Sequence, residues 1–313
     1  MPGEASLREA YGKTLVELGR ANPNVVVLDA DLCPSTMTQY FMKEFPERSF
    51  DCGIAEQNMV GIAAGLAASG KVPFASTFAV FVPGRCFDQI RMSVAQSKLN
   101  VKLVATHGGI SAGEDGASHQ AIEDLSLICS LPGFTVIVPA DAIETVQAVK
   151  AAASNPGPFY IRLCRPKLPL VYTEEYRFNP GKAVTLRPGT DVTVIAIGLM
   201  VAPALETAEE LAPEGINCRV LNMPTLKPVD EAAIIKAAGE TGAIVTAEEH
   251  LEHGGLGNTV ARVVAKYQPV PMEFVALKDK YAESGKSAEL LERYGLTAKD
   301  IVQAVRAVIK RKR

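Results

Sequence analysis

The chain has 313 residues, is 48% hydrophobic and 21% charged, and carries a formal net charge of −3 with a pI near 5.9. That length accommodates two domains with substantial cores, and the near-balanced charge gives no ground for a nucleic-acid or membrane-surface partner. No signal peptide is visible, no apolar run reaches the ~18 residues of a transmembrane helix, and six scattered cysteines without a CxxC pair read as reduced thiols of a cytoplasmic protein.

In chain order, helical apolar spacing over 6–20 precedes a strand at 25–28, a helix at 37–45 and a short strand at 50–53. The apolar run from 56 reads as helix, 72–77 as strand, 85–96 as amphipathic helix and 101–106 as strand, followed by a glycine-rich loop over 107–119. Helix 122–130, strand 134–140, helix 142–153 and strand 159–163 complete a first set. Prolines at 166, 169, 180 and 188 mark a linker rather than a packed element. Beyond it come strands at 191–198, 217–223, 243–247 and 272–276, and helices at 202–211, 230–238, 258–265 and 298–310. This alternation predicts an α/β fold of two domains, 1–170 and 189–313 with a linker at 171–188, each a mostly parallel sheet flanked by helices. The basic tail Lys310-Arg311-Lys312-Arg313 reads as a solvated helix end.

The stretch DCGIAEQNMVGIAAGL (51–66) stands out. Glu56 opens a helix whose other side chains are mostly small or apolar, with Gly61 and Gly65 four apart. A helix apolar on every side is normally buried, and its glycines admit a neighbouring backbone. Glu56 is then either a capping carboxylate at the positive end of the helix or a dehydrated acid whose raised pKa suits proton chemistry. The loop THGGISAGEDGASHQ places His107, Glu114, Asp115 and His119 on a flexible segment beyond a strand's carboxyl end, where ligands of open α/β sheets bind. Two histidines around an acidic pair suit a substrate with hydroxyl and phosphate groups. A tight loop with incidental histidines is the competing reading. GGLGNTVA (254–261) lacks the GxGxxG spacing and reads as helix-start and interface architecture, with His250 and His253 structural. No metal site is expected on this chain.

GIAEQNMVGIAAGL, STFAVF (76–81), FDQIRMS (87–93), HGGISAGEDGASHQ and FYIRLCRP (159–166) together resemble the pyrimidine-binding and C-terminal domains of the transketolase family, over essentially the whole chain. The resemblance implies a thiamine diphosphate enzyme. In it Glu56 hydrogen-bonds N1′ of the aminopyrimidine and favours the tautomer that deprotonates thiazolium C2, while Phe78 and Phe81 flank the pyrimidine. For the two rings, ordinary core packing is the alternative. The resemblance also implies that His107, Asp115 and His119 contact the sugar and its reacting hydroxyls, with the two histidines in proton transfer. Arg165, Arg8 and Ser35 match contacts to the substrate phosphate, where a planar guanidinium binds two oxygens; a lone arginine on an N-terminal helix can also simply face solvent. The segment 82–84 is one residue longer than in the family, which leaves the pocket beyond Phe81 unmapped.

The family's GDG…N motif, which holds Mg²⁺ (or Ca²⁺) and the cofactor's diphosphate, does not occur, and the chain begins almost directly on the pyrimidine domain. The expectation is the C-terminal subunit of a split transketolase, joined by an N-terminal diphosphate-binding subunit that holds the metal, in a heterotetramer of two of each chain. The implied reaction moves a two-carbon ketol group from xylulose 5-phosphate to ribose 5-phosphate or erythrose 4-phosphate, in the non-oxidative pentose phosphate pathway. The nearest rival, the β subunit of a 2-oxo acid dehydrogenase E1, needs no sugar-phosphate site. A 1-deoxy-D-xylulose-5-phosphate synthase shares AEQ and AAGLA but has a different loop sequence, and a scaffolding relative would have no use for Glu56 and the loop.

Overall fold

In a computed structural model of the chain, residues 3–312 are described; Arg313 of the basic tail lies outside them. The runs VVVLD, VPFASTF, KLVAT and FYIR form the strands Val25–Asp29, Val72–Phe78, Lys102–Thr106 and Phe159–Arg162, almost wholly buried. Continuous apolar strands of this kind arise when helices cover both faces of a parallel sheet. Across the sheet the order is Thr225–Lys227, Thr135–Ile137, Phe159–Arg162, Lys102–Thr106, Val72–Phe78, Val25–Asp29, Ser49–Asp51. All pair in parallel except Thr225–Lys227, which comes from the second half of the chain and runs antiparallel along Thr135–Ile137. Lys227 Nζ ties it down by donating to the carbonyls of Cys129 (2.8 Å) and Leu131 (2.6 Å). The second sheet runs Met272–Leu277, Ile244–Leu251, Val192–Ala196, Cys218–Asn222, Val184–Arg187, parallel apart from its last pair. Two sheets of parallel strands with helices between them make this the expected α/β architecture.

The proline-rich stretch is packed, contrary to its composition. Lys167–Pro169 pairs with Glu4–Ser6 in a two-stranded ribbon, and Val184–Arg187 belongs to the second sheet. The amides of Val171 and Tyr172 both donate to buried Asp141 at 2.9 Å. Tyr176 donates to buried Glu144 at 2.7 Å, and Asn222 of the second sheet donates to the same carboxylate at 3.1 Å. Proline removes a donor but does not prevent packing where that donor has no partner to lose.

The helix expected at 85–96 begins earlier, at Phe81, with Pro83 in its first turn, where no intrahelical bond is lost. It breaks at Cys86 (φ −115°, ψ 15°) and continues as a π-helix over Ile90–Ala95. The helix Glu56–Ala68 buries Met59, Val60, Ala63 and Ala64, but its opposite face, with Gln57, Gly61, Ile62 and Gly65, is exposed. The expectation of burial on every side therefore fails within this chain. A Cβ on Gly61 or Gly65 would meet nothing within 4 Å, and Ile54 just before the helix is 77% exposed. Among the described residues, no helix is long and apolar enough to cross a membrane, and all six cysteines are unpaired.

Candidate active site

The residues singled out from sequence follow the carboxyl ends of five adjacent strands. Ser35 lies beyond Val25–Asp29, Glu56 beyond Ser49–Asp51, Phe78 and Phe81 at the end of Val72–Phe78, His107 to His119 beyond Lys102–Thr106, and Arg165 beyond Phe159–Arg162. A crevice outside strand carboxyl ends is where parallel α/β sheets place ligands. Buried Asp29 shapes the first of these loops by accepting from the Thr36 hydroxyl (2.7 Å), the Thr38 hydroxyl (2.9 Å) and the Leu32 amide (2.6 Å).

Phe78 and Phe81 stack with centroids 5.7 Å apart and planes 16° from parallel. His107 lies 3.9 Å from the Phe78 centroid, and His119 stands edge-on to Phe81 at 5.3 Å. Glu56 is buried beside them, and it is not the lone dehydrated carboxylate expected from its helix. Arg85 donates to its Oε1 at 2.6 Å and lies over the Phe81 ring, Cζ 3.8 Å from the centroid. The sequence does not single out Arg85, which falls four residues after Phe81 on one helix only because that helix begins at Phe81.

A second group gathers on the other side of His107. Arg8 does not face solvent: its Nη1 donates to the Ser35 carbonyl (2.8 Å) and its Nη2 to the Arg165 carbonyl (3.2 Å). Arg165 in turn pairs with Asp115 at 3.2 Å. Arg8 and Arg165 line one cavity of about 370 Å³, joined there by Ser111, Glu114, Lys286 and Ser287. The structure therefore brings all the proposed residues to one sheet edge as an aromatic–carboxylate half and a cationic half, with His107 between.

The first half of the loop 107–119 is packed, contrary to what its glycines imply. Residues 107–113 are buried, and the second domain holds them down. Glu249, at the end of a strand of that domain, accepts from the Ser111 amide (2.6 Å) and hydroxyl (3.2 Å). Gly109 has φ +80°, and a Cβ there would overlap the Glu249 carboxylate; at Gly108 it would meet Arg162 Cγ at 2.7 Å. These glycines serve close approach. His107 itself has φ 59°, a left-handed conformation that non-glycine residues seldom adopt. His250 is buried with Nδ1 at 2.8 Å from the Leu251 carbonyl.

Burial, helped by the nearby Arg8 and Arg165 guanidiniums and by His119, pushes the His107 imidazole down to about 3. That keeps it neutral near pH 7, with Nδ1 2.8 Å from the Thr106 hydroxyl. Below about pH 6.5 the unfolded chain takes up a proton that folded His107 refuses. Its contribution to stability is thus full above pH 6.5 and is lost as pH falls toward 3. Burial pushes Glu249 up to about 7, and this acts oppositely, adding stability at low pH that is lost as pH rises through 7. His107→Gln should remove the first dependence, at up to about 1.4 kcal/mol per pH unit. Urea midpoints compared at pH 5 and 6.5 check this: wild type should lose more than the variant on acidification, and parallel losses would show that folded His107 protonates.

Comparison with known proteins supplies the family. Residues 3–171 match the transketolase pyrimidine binding domain and residues 181–301 the transketolase C-terminal domain. A solved structure described as a split gene transketolase, inactive beta4 tetramer, is 54% identical, with a TM-score of 0.93 over 98% of this chain and 99% of that one. A putative transketolase C-terminal section from Methanocaldococcus jannaschii is 44% identical over 97% of this chain and 96% of its own length. A 6-deoxy-6-sulfo-D-fructose transketolase subunit, SqwH, from Clostridium sp. (strain MSTE9) is 44% identical over 98% of this chain and 95% of its own length. Similarity at this level across both domains means that the chain belongs to the transketolase family.

Proposed function

We propose that the chain is the pyrimidine-side subunit of a two-chain transketolase that transfers a two-carbon ketol group from a ketose phosphate to an aldose phosphate. The observation that carries this is the convergence, at one sheet edge, of a buried carboxylate beside a stacked aromatic pair with an Arg8–Ser35–Arg165 cationic grip. In this reading 1–170 is the pyrimidine domain and 189–313 the C-terminal domain, with a packed linker between. The partner would be an N-terminal diphosphate-binding chain, two copies of each chain assembling together. Support for a partner comes from relatives of the same extent described as a C-terminal section, a subunit and a split-gene product. The exposed face of the Glu56 helix offers a surface for it. Six unpaired thiols fit a cytoplasmic setting.

The residues fit thiamine diphosphate on the chemistry of the donor set: Glu56 and Phe81 already hold a planar, hydrogen-bonding cation in the Arg85 guanidinium. When bound, the cofactor supplies the electron sink that lets the substrate's C2–C3 bond break. Glu56 would accept a hydrogen bond from the pyrimidine ring nitrogen and fix its tautomer, and Phe78 and Phe81 would flank the ring. Arg165 and Arg8 would hold the substrate phosphate, with Asp115 orienting Arg165 and the sugar hydroxyls. His119, half-buried against both rings, would take the C3 hydroxyl proton, and neutral His107 would hydrogen-bond the same sugar. The diphosphate and its Mg²⁺ would rest on the partner. Xylulose 5-phosphate as donor with ribose 5-phosphate or erythrose 4-phosphate as acceptor fits the grip, as does a place in the pentose phosphate pathway. A sulfonate would also fit, since it too is a tetrahedral anion.

The test is a ketol-transfer assay with xylulose 5-phosphate, ribose 5-phosphate, thiamine diphosphate and Mg²⁺, on the chain alone and mixed with a diphosphate-domain chain. Turnover only in the mixture supports the reading. Turnover by the chain alone refutes the need for a partner, and pyruvate decarboxylation in its place would move the protein to oxo-acid chemistry. In the active mixture, Arg165→Ala should raise KM for the sugar phosphate about 10- to 100-fold with little change in kcat, as loss of about 1.5–3 kcal/mol of charged hydrogen bonding requires. A fall in kcat with KM unchanged would remove Arg165 from substrate binding.

A further inference from the structure

Glu56 presents a physical difficulty that its neighbours resolve. Its side chain is 6% exposed, whereas that of Arg85, its partner, is 48% exposed. A buried carboxylate without a counter-charge is strongly destabilising, and Arg85 provides that charge at 2.6 Å. The guanidinium makes two contacts at once, donating to Glu56 and lying over Phe81 at 3.8 Å. Hydrogen bonding to the carboxylate while stacking on the ring is also what an aminopyrimidine would have to do there.

We propose that Arg85 is an internal ligand of the pyrimidine pocket, occupying it through its contacts with Glu56 and Phe81 and leaving it when the cofactor enters. The proposal rests on the reading of Glu56, Phe78 and Phe81 as that pocket. The anchoring suits an exchange. Gln57 Nε2 donates to the Arg85 carbonyl at 2.8 Å, which ties down the backbone there. The side chain, already half in water, can rotate outward with no rearrangement of the core. Glu56 cannot follow it. Departure of Arg85 leaves the carboxylate uncompensated, so the exchange is favourable only when an incoming group donates to Glu56 in its place. A site filled by its own side chain binds ligand more weakly by the fraction of time that it is vacant. The cofactor's remaining contacts, on a diphosphate-binding partner, would then make up the difference, coupling cofactor retention to assembly.

The test measures binding rather than turnover. The full chain is titrated with thiamine, which lacks the diphosphate, and binding is followed by saturation-transfer NMR for wild type, Arg85→Gln and Phe78→Ala. Arg85→Gln should bind thiamine about tenfold more tightly than wild type, and adding Phe78→Ala to it should abolish the gain. Unchanged, weaker or undetectable binding by Arg85→Gln overturns the proposal. If Phe78→Ala alone weakens binding while Arg85→Gln does nothing, the pocket stands and Arg85 is not its occupant. If thiamine binds and neither change alters that binding, the pocket reading itself fails, and the proposal with it.

Discussion

Glu56→Gln, assembled with a diphosphate-binding chain, should lower the kcat of ketol transfer about 10²- to 10⁴-fold, the usual worth of a positioned acid–base group. Glutamine keeps the shape of the side chain and can still accept from Arg85, so the free chain should give an unchanged far-UV circular dichroism spectrum. Glu56→Ala should be at least as damaging to turnover. The argument rests on burial and on neighbours: Glu56 is enclosed, is linked through Arg85 to the Phe81 ring of the stacked pair, and has in Arg85 a half-exposed counter-ion able to yield its place. A capping role alone would cost stability of about 0.5–2 kcal/mol and leave turnover intact. Activity near that of wild type in Glu56→Gln would assign the residue to capping and the chain to a supporting role.

Arg162→Met should destabilise the free chain by about 3–5 kcal/mol, the range for breaking a buried ion pair by removing one partner. Arg162 Nε lies 3.0 Å from Asp124 Oδ2, and both side chains are almost fully enclosed. Its Nη2 donates at 2.9 Å to the carbonyl of Ala121 in the first domain and to that of Glu249 in the second. Tyr160 also donates to Asp124, at 2.7 Å, so the charge left behind would keep one partner of the pair's network and lose the cation. Guanidinium denaturation measures the loss. Arg162→Met combined with Asp124→Leu should recover much of it, because an uncharged pair leaves no buried carboxylate. A loss below about 1 kcal/mol in Arg162→Met would be typical of a surface pair and would contradict the burial argument.

Much of this was legible in the sequence because it is local. The strands at 25–29, 72–78, 102–106 and 159–162 are largely apolar runs, and four of the five motifs that resemble transketolase carry Glu56, Phe78, Phe81, His107, Asp115, His119 and Arg165 in order. What escaped is decided by distant partners. The three residues Thr225–Lys227 become a strand only because the edge at Thr135–Ile137 is there to receive them. The helix Leu256–Tyr267 begins before its apolar spacing does, since Glu248 accepts from the amides of Leu256 and Gly257, both at 2.7 Å. Gly108 and Gly109 look like flexible turns in isolation, yet their missing side chains make room for Arg162 and Glu249. Arg85 escaped as well, because its i,i+4 relation to Phe81 exists only once the helix begins at Phe81 rather than at 85.

The strand Thr225–Lys227 has a consequence for how the molecule can move. Domains joined by a linker ordinarily hinge at that linker, but here the second half of the chain completes the sheet of the first. Opening a crevice between the halves would mean tearing a strand from a sheet edge, together with the two hydrogen bonds of Lys227. Cutting the chain near residue 175 would accordingly not yield two freestanding proteins, for one would lack a strand and the other would carry it bare. A hinge between the two halves therefore does not open the site, and the sequence boundary between its domains is a seam.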